Sequence, residues 1–416
     1  MFKLHPKHYE RVVCACCFLF LFVNIGLPST SFNVYQPYIV AVPGIGDTGG
    51  SLVLAVRTFV SLLCMFEVAK WYQLLDCRLG AFISCCLTAL GFLVYGFADS
   101  LPLFCLGAAI AGAGYGLGGM VCMTLLVGRW FESNVGTAVG IAACGSGVAS
   151  VVMPIIAHML IESYSLSVSF WFEASLAVVV GLLVVLLLRN RPQEVGADPY
   201  VNPHEAEDGK PHVHMGSTRP LRPLAHHAMF LGMICIGGIS VGGFGYLGIL
   251  MTSSGFAPLF GAFVLSVAGL ALTLGKFVTG IVFDAVGTRL GSLIFFLMMI
   301  TGLVMCCFAG MQNEILMACG AILLGLGSAL GTVGISVWSL DLSTPLERTR
   351  LVRDLQIAYA FGGFAFNFIP GPLMDLLGTY SVSYGILTAM AVVAFLVVML
   401  VYLKKGPATA ISARRG

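Results

Sequence analysis

The chain has 416 residues, of which 58% are hydrophobic and 10% charged, with a formal net charge of +2 and a mean hydropathy of +0.97. Soluble domains carry about 25% charged residues, so this composition excludes a soluble globular protein and defines an integral membrane protein. A near-neutral charge balance gives no ground for nucleic-acid binding, and the surroundings such a chain requires are a lipid bilayer.

The first apolar stretch, VVCACCFLFLFVNIGLPSTSF, follows Lys3, Lys7 and Arg11. It is longer than the apolar part of a signal peptide and runs into further membrane segments, so it reads as a retained first helix. Apolar segments recur over residues 12–40, 50–73, 80–99, 102–128, 136–160 and 168–188. Six more cover 226–253, 259–283, 290–310, 315–340, 352–376 and 382–403. Each is long enough to span a bilayer, which predicts an all-α membrane protein of twelve transmembrane helices. The expected domains are a six-helix bundle over 1–188, a cytoplasmic linker over 189–225, and a second six-helix bundle over 226–416 ending in a short cytoplasmic tail.

The linker is rich in proline and charge and carries His204, His212 and His214, with His226 and His227 just beyond. These could bind metal, but the stretch reads more simply as a solvated connector. The fourteen cysteines fall almost wholly in apolar runs, where they act as small hydrophobes. None is spaced with histidines as in a zinc site, and neither metal nor cofactor is expected.

With both termini inside, the cytoplasmic side receives Lys70, Arg78, Arg129, Arg189, Arg289 and Arg348 together with the basic residues of both termini. The outer loops hold Asp47, Asp99, Glu162, Glu314 and Asp375 and no basic residue. This is the positive-inside pattern, expected of a multi-pass plasma-membrane protein such as one of a bacterial inner membrane. Arg78-Leu79-Gly80 matches Arg289-Leu290-Gly291 at an offset of 211 (289 − 78), and the same offset aligns Gly26 with Gly237, Tyr35 with Tyr246, Gly114 with Gly325 and Gly116 with Gly327. A duplicated six-helix unit follows, with substrate expected near the midplane.

Two cations remain inside helices. Lys276 interrupts the run LSVAGLALTLGKFVTGIVF, where a charge is unfavourable unless it faces protein, a partner or water. An anionic substrate would supply the counter-charge; the alternative is a structural lysine paired with a carbonyl or an acid. Arg57 enters the second helix from the outside, and its planar fork suits a carboxylate; it reads equally as a helix-packing residue. Two acids also lie in apolar runs. Glu173 sits in the sixth helix at a depth comparable with Arg57, while Glu67, three residues before Lys70, reads best as an interfacial i, i+3 pair. If transport is proton-coupled, these are the candidate carboxylates. Polar positions on the other helices complete the candidate lining: Asn33, Tyr35 and Gln36 in the first, Tyr246 in the seventh, and Gln356, Tyr359 and Asn367 in the eleventh. The glycine run GAGYGLGG superficially matches a nucleotide fingerprint, but it lacks the strand and acid of that motif. Close helix approach explains it and its repeat GLGSALGTVG.

The turn Gly280-x-x-x-Asp284-x-x-Gly287-x-Arg289 is similar to the signature that the major facilitator superfamily carries between helices two and three and copies in its second half. The first-half copy, AKWYQLLDCRLG, is degenerate, with Ala69 for the leading glycine and Gln73 for the aspartate. The resemblance implies two pseudo-symmetric six-helix bundles, the major facilitator fold, and assigns Gly280, Asp284 and Arg289 to a gating loop. More narrowly, GRWFESNVGTAVGIAACGSG, AFGGFAFNFIPGPLMDLLGTY and Lys276-x-x-x-Gly280 resemble the monocarboxylate transporter and oxalate/formate antiporter branch. There a helix-eight arginine binds the substrate carboxylate, and Lys276 stands in its place. The chain departs from that branch in having Leu272 for the acid one turn earlier, no lysine near Thr30 in the first helix, and Leu355 or Gln356 for the exchanger's lysine in the eleventh.

These readings converge on a secondary active transporter of a small organic anion, a mono- or dicarboxylate, moved by alternating access with a coupling proton or a counter-anion. It is not expected to be an enzyme, since no nucleophile, base or metal constellation is present. The competing expectation is an efflux transporter of cationic or neutral drug-like compounds, which needs a cavity-facing acid, Glu67 or Glu173.

Overall fold

The computed structural model describes residues 9–29, 31–202, 220–366, 376 and 380–405. The chain runs through α1 (Tyr9–Gly26), α2 (Gly46–Leu74), α3 (Cys77–Phe97), α4 (Leu101–Trp130), α5 (Val135–Ser163) and α6 (Leu166–Leu187). It continues through α7 (Pro223–Gly243), α8 (Pro258–Val286), α9 (Thr288–Cys307), α10 (Glu314–Leu342), α11 (Arg348–Phe366) and α12 (Ser381–Lys405). Among the described residues, eleven of these are long and apolar enough to cross a membrane. The exception, α11, opens on Arg348, Arg350, Arg353 and Asp354, and the apolar residues that follow Phe366 lie outside the described residues. The expected twelve-helix order is therefore present.

The helices form two compact units. One comprises α1 to α4, residues 141–163 of α5, and α6; the other comprises residues 131–140 and α7 to α12.

In the first unit α1 does not run straight through. It widens into a π turn over Phe22–Gly26, and after Leu27 to Ser29 the chain resumes as a 3-10 turn (Ser31–Tyr35) and a short helix (Gln36–Val40). Asn24 on the π turn is fully buried and answers for its own polarity. Its amide donates to the Phe20 carbonyl at 3.2 Å and to Cys85 Sγ at 3.1 Å, and its oxygen accepts from Thr88 Oγ1 at 2.8 Å. Beyond the break, Phe32, Tyr35, Phe92, Tyr95 and Phe170 pack as one aromatic cluster, with the Tyr35 and Phe170 rings stacked at 4.3 Å.

The second unit repeats the device: α7 ends in a π turn over Ile239–Gly243. Tyr384 of α12 donates to the freed Gly243 carbonyl at 2.7 Å. Trp338 of α10 is buried against Phe296 of α9 and donates to Ser292 Oγ at 2.8 Å. The Trp338 indole and the Tyr384 hydroxyl thus find partners on neighbouring segments, as most buried polar groups do.

The glycine runs set how closely the helices approach. A methyl on Gly112 would strike the Arg57 carbonyl, and one on Gly114 would meet Thr88; in the second unit, Gly325 faces the Ala268 carbonyl and Gly327 faces Met299. Gly112 therefore does in α4 what Gly325 does in α10, an offset of 213 (325 − 112), while their partners remain 211 apart (268 − 57). This corrects the single offset of 211 that aligned Gly114 with Gly325 and Gly116 with Gly327. The cause is the connection before each helix: residues 98–100 separate α3 from α4, whereas 308–313 separate α9 from α10.

Replacing Gly112 by leucine forces a side chain into the Arg57 backbone. Gly112→Leu is expected to lower stability by roughly 1–3 kcal/mol, the usual range for overpacking. Gly245→Leu, at a position with nothing within 4 Å, should leave the thermal unfolding midpoint of the detergent-solubilised protein unchanged.

Candidate substrate and coupling sites

Lys276 lies in the middle of α8, eight residues before Asp284 (284 − 276), or about 12 Å along the axis at 1.5 Å per residue. Its side chain is 6% exposed, so the structure buries the cation as the apolar run around it suggests. Small residues on either side allow this. Gly275 packs on the α10 backbone, where a methyl would lie 3.0 Å from the Leu326 Cα. On residues 131–140, a methyl on Gly140 would lie 2.7 Å from the Lys276 carbonyl oxygen. One turn on, Thr279 is fully buried and its Oγ1 has no hydrogen-bond partner. Threonine in a helix ordinarily returns its hydroxyl to a preceding carbonyl; here it is left available beside a buried ammonium group. Sequence reasoning missed Thr279, and the i, i+3 spacing from Lys276 is the signal that could have found it.

The glycine-and-charge turn is built around a carboxylate at a helix start. Asp284 accepts from the backbone N–H groups of Gly136 at 2.8 Å and Thr137 at 2.6 Å, the first turn of α5. Those N–H groups have no partner within their own helix, and a negative charge there also suits the helix dipole. Gly280 makes the approach possible, because a methyl on it would strike the Gly136 carbonyl. Gly287 then turns the chain at φ +84°, a left-handed conformation that favours glycine. Arg289 is exposed on the far side of the turn.

Arg57, on α2, is half-buried. Its guanidinium stands over the Phe32 ring at 5.4 Å, a cation–π contact, and its Nη1 is buried without a hydrogen-bond partner. It forms no ion pair with Glu173, so a direct pairing of the two does not occur here. Glu173 instead meets the broken end of helix one. It is 1% exposed, and its Oε1 accepts from the Tyr35 hydroxyl at 2.9 Å. Tyr35 Oη is also 2.7 Å from Ser169 Oγ, and Glu173 Oε2 has no partner. Ser169, one turn before Glu173, was not picked out from the sequence. A hydroxyl at i−4 from a buried acid was the signal for it.

The remaining candidates separate clearly. Glu67 pairs with Lys70 at 2.8 Å with side chains 61% and 69% exposed, the interfacial i, i+3 pair expected for it. Gln36 keeps a buried Oε1 without a partner, and its amide nitrogen lies against Gly50. Tyr246 is half-buried with its ring 5.9 Å from that of Tyr380. Gln356 is buried; Tyr359 packs its backbone on Gly237 and its ring near Gly331. The side chain of Asn33, all of Asn367, and the linker histidines 204, 212 and 214 lie outside the described residues.

Comparison with known proteins accords with this architecture. The family model of the Major Facilitator Superfamily matches residues 14–350, and the chain belongs to that superfamily of membrane transporters. Monocarboxylate transporter 13 of Bos taurus is 25% identical over 300 residues, covering 72% of this chain and 67% of that protein. Among solved structures, the transporter FucP in its outward conformation is similar with a TM-score of 0.71 at 16% identity, covering 95% of this chain and 99% of that one. The human organic anion transporter MFSD10 gives a TM-score of 0.69 at 15% identity, covering 93% and 99%. At these identities the structural likeness establishes the shared fold.

The Asp284 contact gives a direct test of the turn. Asp284→Ala removes both acceptors and is expected to destabilise the protein by about 1–2 kcal/mol, as loss of a helix N-terminal acceptor and its charge does. Hydrogen exchange followed by mass spectrometry should show faster exchange at the Gly136 and Thr137 amides, with Asp284→Asn intermediate.

Proposed function

We propose that the protein is a secondary active transporter of a small organic anion, most simply a mono- or dicarboxylate, that works by alternating access. The observation that carries this reading is Lys276, a buried cation in the middle of an apolar helix. Intramembrane ionisable groups are retained where a substrate or ion pathway uses them. A lysine ammonium is a mobile point charge with three donors, suited to a carboxylate that must bind and then leave. Thr279 adds a hydroxyl donor one turn away.

One named relative, 25% identical to this chain, is a monocarboxylate transporter. Arg57 is a second cation in this reading, and Tyr35 and Gln36 in the first unit and Tyr246, Gln356 and Tyr359 in the second are candidate ligand contacts, each taken within its own unit. Asp284, Gly280 and Arg289 form the gating loop in this reading: the carboxylate holds the start of α5 in one state and releases it in the other. The charge distribution supports a plasma-membrane location with both termini cytoplasmic. It also supports bundles over 1–188 and 226–416 joined by a cytoplasmic linker. The competing reading, efflux of cationic or neutral compounds, is favoured by one observation, the buried acid Glu173.

The test is thermal stabilisation of the purified protein by a panel of mono- and dicarboxylates, amino acids and cationic drugs. A ligand at a hundred times its dissociation constant stabilises by about 2.7 kcal/mol, well within reach of the assay. Stabilisation by a carboxylate that vanishes in Lys276→Ala and partly survives in Lys276→Arg is the expected outcome. Thr279→Val should weaken binding by roughly two- to tenfold, the worth of one hydrogen bond. Stabilisation by cations alone, unchanged in Lys276→Ala, would assign the function to the acids instead.

A further inference from the structure

We propose that Glu173 is a proton-binding site of this transporter. We further propose that Tyr35, carried on the broken end of helix one, switches its occupancy by giving or withdrawing a hydrogen bond. What the proton is coupled to rests on the transport reading above; that Glu173 takes up and releases a proton does not.

Three features of the geometry point to a proton. First, Glu173 is 1% exposed, and among the described residues no cation forms an ion pair with it. The end of helix one brings Tyr35, and α6 itself brings Ser169. From α3 come Tyr95, whose hydroxyl is also buried without a partner, and further along the helix Cys85, bonded to Asn24. From α2 comes Arg57, held over Phe32. From α5 come His158 and Glu162, both bonded to Tyr38 instead. A buried carboxyl with no cationic partner among the described residues balances its charge with a proton.

Second, the site suits no larger cation. A bound calcium or magnesium ion takes about six oxygen ligands. The hydrogen-bonded oxygens here are the carboxyl and the hydroxyls of Tyr35 and Ser169, with the Ala157 carbonyl beyond Ser169 at 3.4 Å, set among the rings of Phe32, Phe92, Tyr95 and Phe170. A proton needs one oxygen, and Oε2 is the carboxyl atom left without a partner.

Third, the two sides of the hydrogen bond stand on elements of different build. Glu173 lies in α6, a continuous helix from Leu166 to Leu187. Tyr35 closes the 3-10 turn Ser31–Tyr35, where the chain passes into the helix Gln36–Val40. A change of winding at that join would shift Tyr35 relative to Glu173. With Tyr35 donating to Oε1, a negative charge on the carboxyl is supported; with Tyr35 withdrawn, it is not. Loading forms an O–H bond at Oε2 with a proton taken from water, and release breaks that bond and returns the proton to water. No electron is transferred.

The experiment is infrared difference spectroscopy of the full chain in lipid. The parent is expected to show a protonated-carboxyl band that is lost reversibly as the pH is raised. That band should be absent in Glu173→Gln. Glu173→Asp, which keeps a carboxyl, should retain a titrating band, so that a folding defect in the glutamine variant does not decide the matter. Tyr35→Phe should keep the band and move its midpoint, which a purely structural tyrosine would not do. Superimposable titrations of parent and Glu173→Gln overturn the proposal, and an unmoved midpoint in Tyr35→Phe overturns the switch.

A second arm uses proteoliposomes containing a pH-sensitive dye, with pyruvate as the probe. Pyruvate entry should acidify the interior in the parent, whereas Glu173→Gln should exchange pyruvate without acidification; acidification that persists in the variant counts against coupling. A parent that moves no pyruvate is a failure of the monocarboxylate reading, and the infrared titration then decides Glu173 by itself.

Discussion

Helices in lipid gain little by burying apolar side chains against one another, because the surrounding tails are as apolar as leucine. What holds each bundle is close backbone approach and polar groups satisfied between neighbours. Both are visible here in the same helices. Gly112 and Gly325 let α4 and α10 reach the backbones of α2 and α8, and Gly280 lets α8 reach the start of α5. Where such approach is closest, hydrogen bonds follow: Asp284 reaches the Gly136 and Thr137 amides only because Gly280 carries no side chain between them.

Against that background, the polar atoms the bundles leave unsatisfied stand out. Most buried hydroxyls and amides are answered: Asn24 by Phe20, Cys85 and Thr88, Trp338 by Ser292, and Tyr384 by Gly243. Thr279 Oγ1, Arg57 Nη1, Gln36 Oε1, Tyr95 Oη and Glu173 Oε2 are not. A buried polar group without a partner costs about 1–3 kcal/mol, so retaining several calls for a compensating role. Thr279 lies one turn from Lys276, and Tyr95 lies in the aromatic cluster that holds Tyr35, the hydrogen-bond partner of Glu173. The break in helix one brings Tyr35 to Glu173, since a straight helix would not carry the chain through a 3-10 turn at that point.

Much of this was legible in the residues. Hydropathy gave the twelve helices, because a membrane span must be long, apolar and internally hydrogen-bonded. The Gly280-to-Arg289 turn and the burial of Lys276 followed from charges set in an apolar run, and the Glu67–Lys70 pair from i, i+3 spacing. Other features depend on contacts between distant segments and leave no local trace. Tyr35 and Glu173 are 138 positions apart, and nothing in either neighbourhood names the other. The same holds for the repeat: a constant offset assumes equal connections, and the longer one before α10 shifts its glycines by two positions without altering the periodicity of the helix itself.

The two proposed ligands also constrain each other through net charge. Moving charge across a bilayer couples transport to membrane potential, at about 2.3 kcal/mol per elementary charge per 100 mV. On the proposed reading, a monocarboxylate moved alone carries one negative charge through that field, and a proton taken up in the same step cancels it. Coupling of this kind follows from the field acting on the summed charge of the two ligands, not from any particular arrangement of side chains.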